Sequence, residues 1–261
     1  MAGVPVGGES FRLLSILLGS AMVLAACVTS VDAVPGVPVT SPVPVTPSAT
    51  VVSAAPPVVS PSAPVKPRIS KAGLAYFLAV GFGTEYEGGA RVVTRWDQPL
   101  VTVRVHGGNA RSRRCLNTVI SDFNALTEVT DLKVITNPAD IELHFAPVSK
   151  FRSIEPKYVP GNDGYFRFTW TEYAIWKATV LIRSTGISEK IRCHLIREEL
   201  TQTMGLGKDS NRYPDSVFFG EYYSAPTRYS ALDEELIRLL YSEAVRPGDS
   251  RKAVTRKVTV E

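Results

Sequence analysis

Residues 193–210 read CHLIREELTQTMGLGKDS. On a helix advancing about 100° per residue, His194, Glu198 and Gln202 fall on one line, one turn apart, and Glu199 projects beside it. Cys193, Ile196, Leu200 and Met204 cover the opposite side. The pair His194 and Glu198, spaced i,i+4, suits two ligands of one cation. Asp209 or Gln202 could add an oxygen, and Glu199 has the chemistry of a general base. Apolar residues occur all round, so the helix is expected to be buried on more than one side. Two neighbouring carboxylates there are costly unless they are paired, hydrogen-bonded or open to a cleft. One reading is a reaction or binding site. The other is a structural polar network with Arg192, Arg197 or tyrosines, because buried ionic networks also arise for structural reasons alone.

The elements around this helix read as an α+β domain, a mixed sheet with packed helices. Leu74, Phe77, Leu78 and Phe82 recur at helical spacing in residues 70–82. Val101, Val103 and Val105 alternate with Thr102, Arg104 and His106, which predicts a strand. Residues 110–127 make an amphipathic helix through Leu116, Val119, Ile120, Phe123 and Leu126. Short strands follow at 132–136 and 140–145, the second with Glu142 and His144 on its polar side. Further strands are expected near 164–169 and 174–183. The helix of interest should run from about Ser188 to Met204, with Gly205 and Gly207 ending it. A last helix opens on Ser230-Ala-Leu-Asp233, a capping-box pattern.

Glu198, Glu199, Gln202 and Gly205 occupy the spacing of H-E-x-x-H-x-x-G, and the helix resembles that of the zincin metalloproteases. In that family two imidazoles one turn apart hold zinc, and the intervening Glu polarises water. Glu198 stands at the first His, Gln202 at the second and Lys208 at the third, where it adds positive charge. The resemblance implies a zincin-like sheet. DIELHF (140–145) would be the strand lining the cleft edge, IWKATVLIRS the strand before the helix, and YSALDEELIRLLY the closing helix. The chain has three His in all, His106, His144 and His194, and the first two lie on separate strands. Met204 is the only Met beyond the leader segment, so no Met-turn follows the helix, and PDSVFF stands there instead. The pieces GFGTEYEGG, RWDQPLVTVRV, REELTQTMGLGKDS, PDSVF and LDEELIRLLYSEAVRPG also resemble bacterial domain-of-unknown-function family 2927, which implies a lipoprotein-like envelope protein.

The front of the chain sets the compartment. Arg12 precedes the apolar run LLSILLGSAMVLAA, too short to span a bilayer comfortably, which closes on Leu24-Ala25-Ala26-Cys27. Residues 1–27 therefore read as a lipoprotein signal peptide whose lipobox makes Cys27 the lipidation site. Val28 rather than Asp after it points to the outer membrane if the cell is Gram-negative. Residues 28–67, rich in Pro, Val, Ser and Thr, have no period that would bury a face. They read as a disordered, extended tether. Residues 68–249 form the folded domain. Cys115 and Cys193 are an even pair in an exported chain, which favours a disulfide over two buried thiols.

The formal charge is +4 over 261 residues. Residues 1–67 sum to zero, and the segment 251–261, RKAVTRKVTVE, carries +3 and reads as a solvated basic tail (250–261). A basic end is not the clustered face that nucleic acid needs, so no nucleic-acid partner is expected. The implied partners are the membrane, through Cys27, and a peptide, cell-wall or envelope-protein ligand in the cleft. No cofactor follows from the residues beyond zinc held by His194, Glu198, Gln202 or Asp209. Two functions stand side by side. One is a binding protein on a scaffold that has lost its zinc ligands. The other is an atypical metal-dependent peptidase or amide hydrolase with Glu199, helped by Glu198, as its catalytic acid-base group.

Overall fold

The structure is a computed structural model that describes residues 66–84, 90–221 and 224–261. The expected signal segment, the expected lipidation site Cys27 and the expected tether up to residue 65 lie outside the described residues. Strand β1 (Arg68–Ile69) leads into α1 (Lys71–Val80), capped by the Ser70 hydroxyl, which accepts from the Gly73 amide. After it, Asp97–Pro99 separate the short β2 (Arg95–Trp96) from β3 (Leu100–His106), which is the strand that the alternation predicts. Helix α2 (Ala110–Asn124), capped by Asn109, buries Leu116, Val119, Ile120 and Phe123. Then come β4 (Asp131–Ile135), β5 (Ile141–Ala146), α3 (Val148–Ile154), β6 (Gly164–Thr171) and β7 (Ala174–Arg183). Helix α4 (Glu189–Gln202) is capped by Ser188. Helix α5 (Ala231–Leu240) opens on the reciprocal Ser230–Asp233 capping box that the sequence pattern predicts.

Five strands run in the order β2-β7-β5-β3-β4 with parallel pairing, and β6 adds to β7 antiparallel. This corrects one expectation. DIELHF is β5, an interior strand between β7 and β3, and not the edge along the cleft. Its core residues Ile141 and Leu143 are fully buried, as an interior strand needs. The antiparallel edge strand is β6.

Side-chain alternation sorts the two faces of the sheet. Val101, Val103, Ile141, Leu143, Val180 and Ile182 enter one core with Leu195, Ile196 and Leu200 of α4. Arg104, His106, Glu142 and His144 consequently point to the other face. Helix α4 packs against α2, β6 and β7, and nearly every residue from Arg192 to Gln202 is buried. Cys115 of α2 and Cys193 of α4 are joined in a disulfide with Cα atoms 5.8 Å apart. Past the last turn of α4, Trp96 Nε1 donates to the Thr203 carbonyl at 3.0 Å and the Tyr241 hydroxyl to that of Met204 at 2.7 Å. These bonds satisfy carbonyls that a helix end leaves open.

The segment 250–261 is not a solvated tail. Ser250 caps α6 (Arg251–Lys257), Val254 and Val258 are buried, and β8 (Thr259–Val260) pairs in parallel with β1. The two valines, spaced i,i+4, form an apolar stripe beneath the basic residues. The high charge hides that stripe in a reading by composition.

Candidate functional site

All five polar residues singled out on and after α4 line one cleft of about 230 Å³: His194, Glu198, Glu199, Gln202 and Asp209. The helix supplies the first four because their spacing holds them to one side. Asp209 arrives from the loop that Gly205 starts. Gly205 has φ +110, and a Cβ there would lie 2.1 Å from the Thr94 carbonyl oxygen, so only glycine makes this turn. Asp209 accepts from the Gln202 amide at 2.6 Å, which fixes both ends of the loop. The opposite wall is the start of β6, with Asp163, Gly164 and Phe166. Phe219, Glu221 and Ser224 close the rim.

Gly164 explains how an acid fits beneath the strand. A Cβ at that position would sit 2.2 Å from Glu199 Oε1. The glycine that opens β6 thus gives the Glu199 carboxylate its room. A lone glycine at the start of a strand was the available sequence signal for this wall. Asp163 beside it is held by Arg183 at 2.8 Å.

Buried arginines do not claim the acid pair. Arg192 donates to Glu189 at 2.6 Å and to the Ser184 and Arg183 carbonyls. Arg197 donates to Asp122 at 2.6 Å and lies over the Tyr229 ring, 4.4 Å from its centroid. Pairing of the acids with these two arginines, one form of the structural-network reading, is therefore not seen among the described residues. Lys208, at the third-ligand position of the motif, does not line the cleft either. The positive charge expected there is turned away.

His194 Nδ1 donates to the Pro226 carbonyl at 2.9 Å, which leaves a lone pair on Nε2. Burial pushes the imidazole below its ordinary value, against the opposing effect of the Pro226 bond. Nε2 stands 3.3 Å from Glu198 Oε2. With its proton on Nδ1, the imidazole presents Nε2 as an acceptor, as the carboxylate oxygen is. Their separation is close to that of two ligands sharing a tetrahedral metal with bonds of about 2.1 Å.

The zinc site of the zincin pattern does not fit these residues. His106 and His144 face the other side of the sheet, so three imidazoles cannot meet at α4. Among the described residues, His106, Glu142 and His144 are the one group of three whose ligand atoms lie within 4.8 Å of one another, and by residue type they could hold a metal. Their arrangement is that of paired charges. The two rings stack with centroids 4.1 Å apart and planes 5° apart, so their in-plane lone pairs aim at different points. Glu142 Oε2 accepts from Arg104 and His106 at 2.7 Å each, and Oε1 from Lys177 at 3.4 Å. Burial pushes Glu142 up, but the hydrogen bonds from Arg104 and His106 outweigh it and hold the carboxyl at about 2. Burial, with the charges of His106 and Arg104, brings His144 down to about 4.

Asp233 fixes the PDSVFF loop that follows the cleft. Besides capping α5, it accepts from the Ser216 hydroxyl at 2.6 Å and the Val217 amide at 3.1 Å, under fully buried Phe218. Burial raises its pKa above the ordinary carboxyl value.

A family model described as protein of unknown function (DUF2927) matches residues 71–260. Among curated proteins none matches the chain. Two solved structures of myroilysin are similar to it. One has a TM-score of 0.42 at 11% identity, covering 67% of this chain and 97% of the other. The second has a TM-score of 0.40 at 10% identity, covering 57% and 96%.

Proposed function

This chain belongs to the DUF2927 family, and from that premise we propose that it is an exported, lipid-anchored envelope protein whose cleft binds an extended peptide or peptide-bearing cell-wall ligand without zinc. One observation carries the reading. The polar residues of α4 line an open cleft beside the edge strand β6, yet imidazoles are missing from the zinc-ligand spacing. Among the described strands only β7 pairs with β6, so its outer edge is available for strand addition. Glu198, Glu199, Asp209 and Glu221 give the cleft an acidic lining that favours an amine-bearing ligand. The lipid anchor rests on Cys27 and its preceding residues, and the tether would let the domain reach away from the membrane.

The test is twofold. Full-length protein purified without chelator should carry no stoichiometric metal by elemental analysis. Extended peptides with a free amine should bind more tightly than their acetylated forms, and Glu198→Gln should weaken them. One zinc per chain, or equal binding of both peptide forms, would overturn the proposal.

A second reading, metal-assisted amide hydrolysis, is favoured by the facing acceptors His194 Nε2 and Glu198 Oε2. These two would hold the metal and Glu199 would take a proton from water. Glu199→Gln keeps the shape and removes that base. Unchanged turnover of an envelope peptide in this variant would eliminate the reading.

A further inference from the structure

Lys208 and Asp209 are chain neighbours that face different sites. Asp209 lines the acidic cleft, whereas Lys208 lines a separate groove of about 640 Å³. Three stretches distant in sequence meet there. Phe82 and Gly83 follow α1, Lys208 follows α4, and Arg251 and Lys252 open α6; Arg91 completes the lining. Four cations are gathered, and among the described residues no carboxylate lines the groove.

Like charges brought together by folding repel, and several cations elsewhere in this protein are paired. Lys257 lies 2.6 Å from Asp249, and Arg238 lies 2.9 Å from Glu234. In the groove, Arg91, Lys208 and Lys252 have no hydrogen-bond or ion-pair partner among the described residues. Two of the cations are nevertheless held in place. Arg251 lies over the Phe82 ring, 4.6 Å from its centroid, and donates to the Leu78 carbonyl. The stem of Lys208 crosses Gly83, where a Cβ would come within 3.3 Å of its Cδ. Gly83 has φ +110, a conformation that favours glycine and leaves the lysine its path.

We propose that this groove binds a phosphate-bearing anion. Guanidinium and ammonium groups converging without a counter-ion among the described residues match the clustered oxygens of phosphate. The groove exceeds the size of one phosphate, so a diphosphate, or a phosphate on an organic body that touches Phe82, fits it. This inference does not depend on what occupies the acidic cleft.

The probe is inorganic pyrophosphate, titrated calorimetrically into the full chain at low salt. One site per chain is expected. Lys208→Ser and Lys252→Ser should each weaken it about five- to tenfold, the effect of removing one unit charge at contact distance. Lys133→Ser, which removes an exposed cation on β4, should leave it unchanged. Thermal melts would establish that each variant is folded. No binding at millimolar pyrophosphate, or an equal loss in Lys133→Ser, would overturn the proposal. Vesicles of phosphatidylcholine containing phosphatidylglycerol distinguish the source. Competition with pyrophosphate assigns the phosphate to a lipid headgroup, and its absence assigns it to a soluble ligand. A single-stranded oligonucleotide that binds the groove far more tightly than pyrophosphate would also overturn it, in favour of nucleic acid.

Discussion

The acidic cleft and the basic groove are built in opposite ways, although one short loop serves both. The cleft takes four of its polar side chains from a single buried helix. It is braced by a disulfide, a glycine-lined strand and hydrogen bonds to both His194 and Asp209. The groove takes its cations from segments far apart in sequence, and most of them have no ion-pair partner among the described residues. A third region, around Glu142, shows what neutralised charge looks like here: one carboxylate shared among Arg104, His106 and Lys177. The contrast teaches that charges paired as Glu142 is support the fold, while the groove cations, without a counter-ion among the described residues, are placed where a ligand could supply one.

The strongest way to separate the two sites is to remove the brace. Replacing Cys115 and Cys193 by Ser frees a long loop, their sequence separation being 78. Stability should fall by about 4 kcal/mol, read from the urea midpoint. Peptide binding in the cleft should weaken with it, since Cys193 precedes His194. Where the variant remains folded, pyrophosphate affinity should hold. A parallel loss at both sites would show that they are one mechanical unit.

Glu142→Gln tests the paired region. The Glu142 carboxyl is held at about 2, against an ordinary 4.5, so its stabilisation is fully present above pH 4.5 and lost as pH falls through about 2. The variant should be about 3 kcal/mol less stable near neutrality, and the gap to the parent should close across that window. His144, lowered to about 4 from 6.5, acts in the same direction. Its contribution is complete above 6.5 and declines as pH drops through 4. A pH-independent gap would mean that the ion pairs contribute nothing.

Gly164→Ala addresses the cleft wall. The added methyl must displace the Glu199 carboxylate or the strand, at about 1–3 kcal/mol, and should weaken peptide binding. A neutral result by both denaturation and titration would show that Glu199 has another place to go. The smallest effect on folding is expected for Lys208→Ser, within about 0.5 kcal/mol, because that ammonium has no hydrogen-bond or ion-pair partner among the described residues. A larger destabilisation would make the groove structural.

Much of the cleft was legible before any coordinates. The i,i+4 spacing of His194, Glu198 and Gln202 follows from helix geometry alone, and the caps at Ser188 and Ser230 are contacts made within three residues. The wall opposite was misassigned. The alternation in DIELHF specifies a strand but not its neighbours, and pairing with both β7 and β3 made it interior. The groove could not be read at all, since no local pattern announces that residues 83, 208 and 252 will meet.

The sequence alone thus determined which residues share a helix face, where that helix begins and that no three imidazoles follow zincin spacing. Those properties depend on bond geometry and on contacts a few residues apart. Only the tertiary structure decided that β6 borders the cleft, that Lys208 and Asp209 part company, and that the basic C-terminal segment folds back through Val254 and Val258 onto the domain. These outcomes come from burial and pairing between distant segments, whose free energy no short stretch of chain contains.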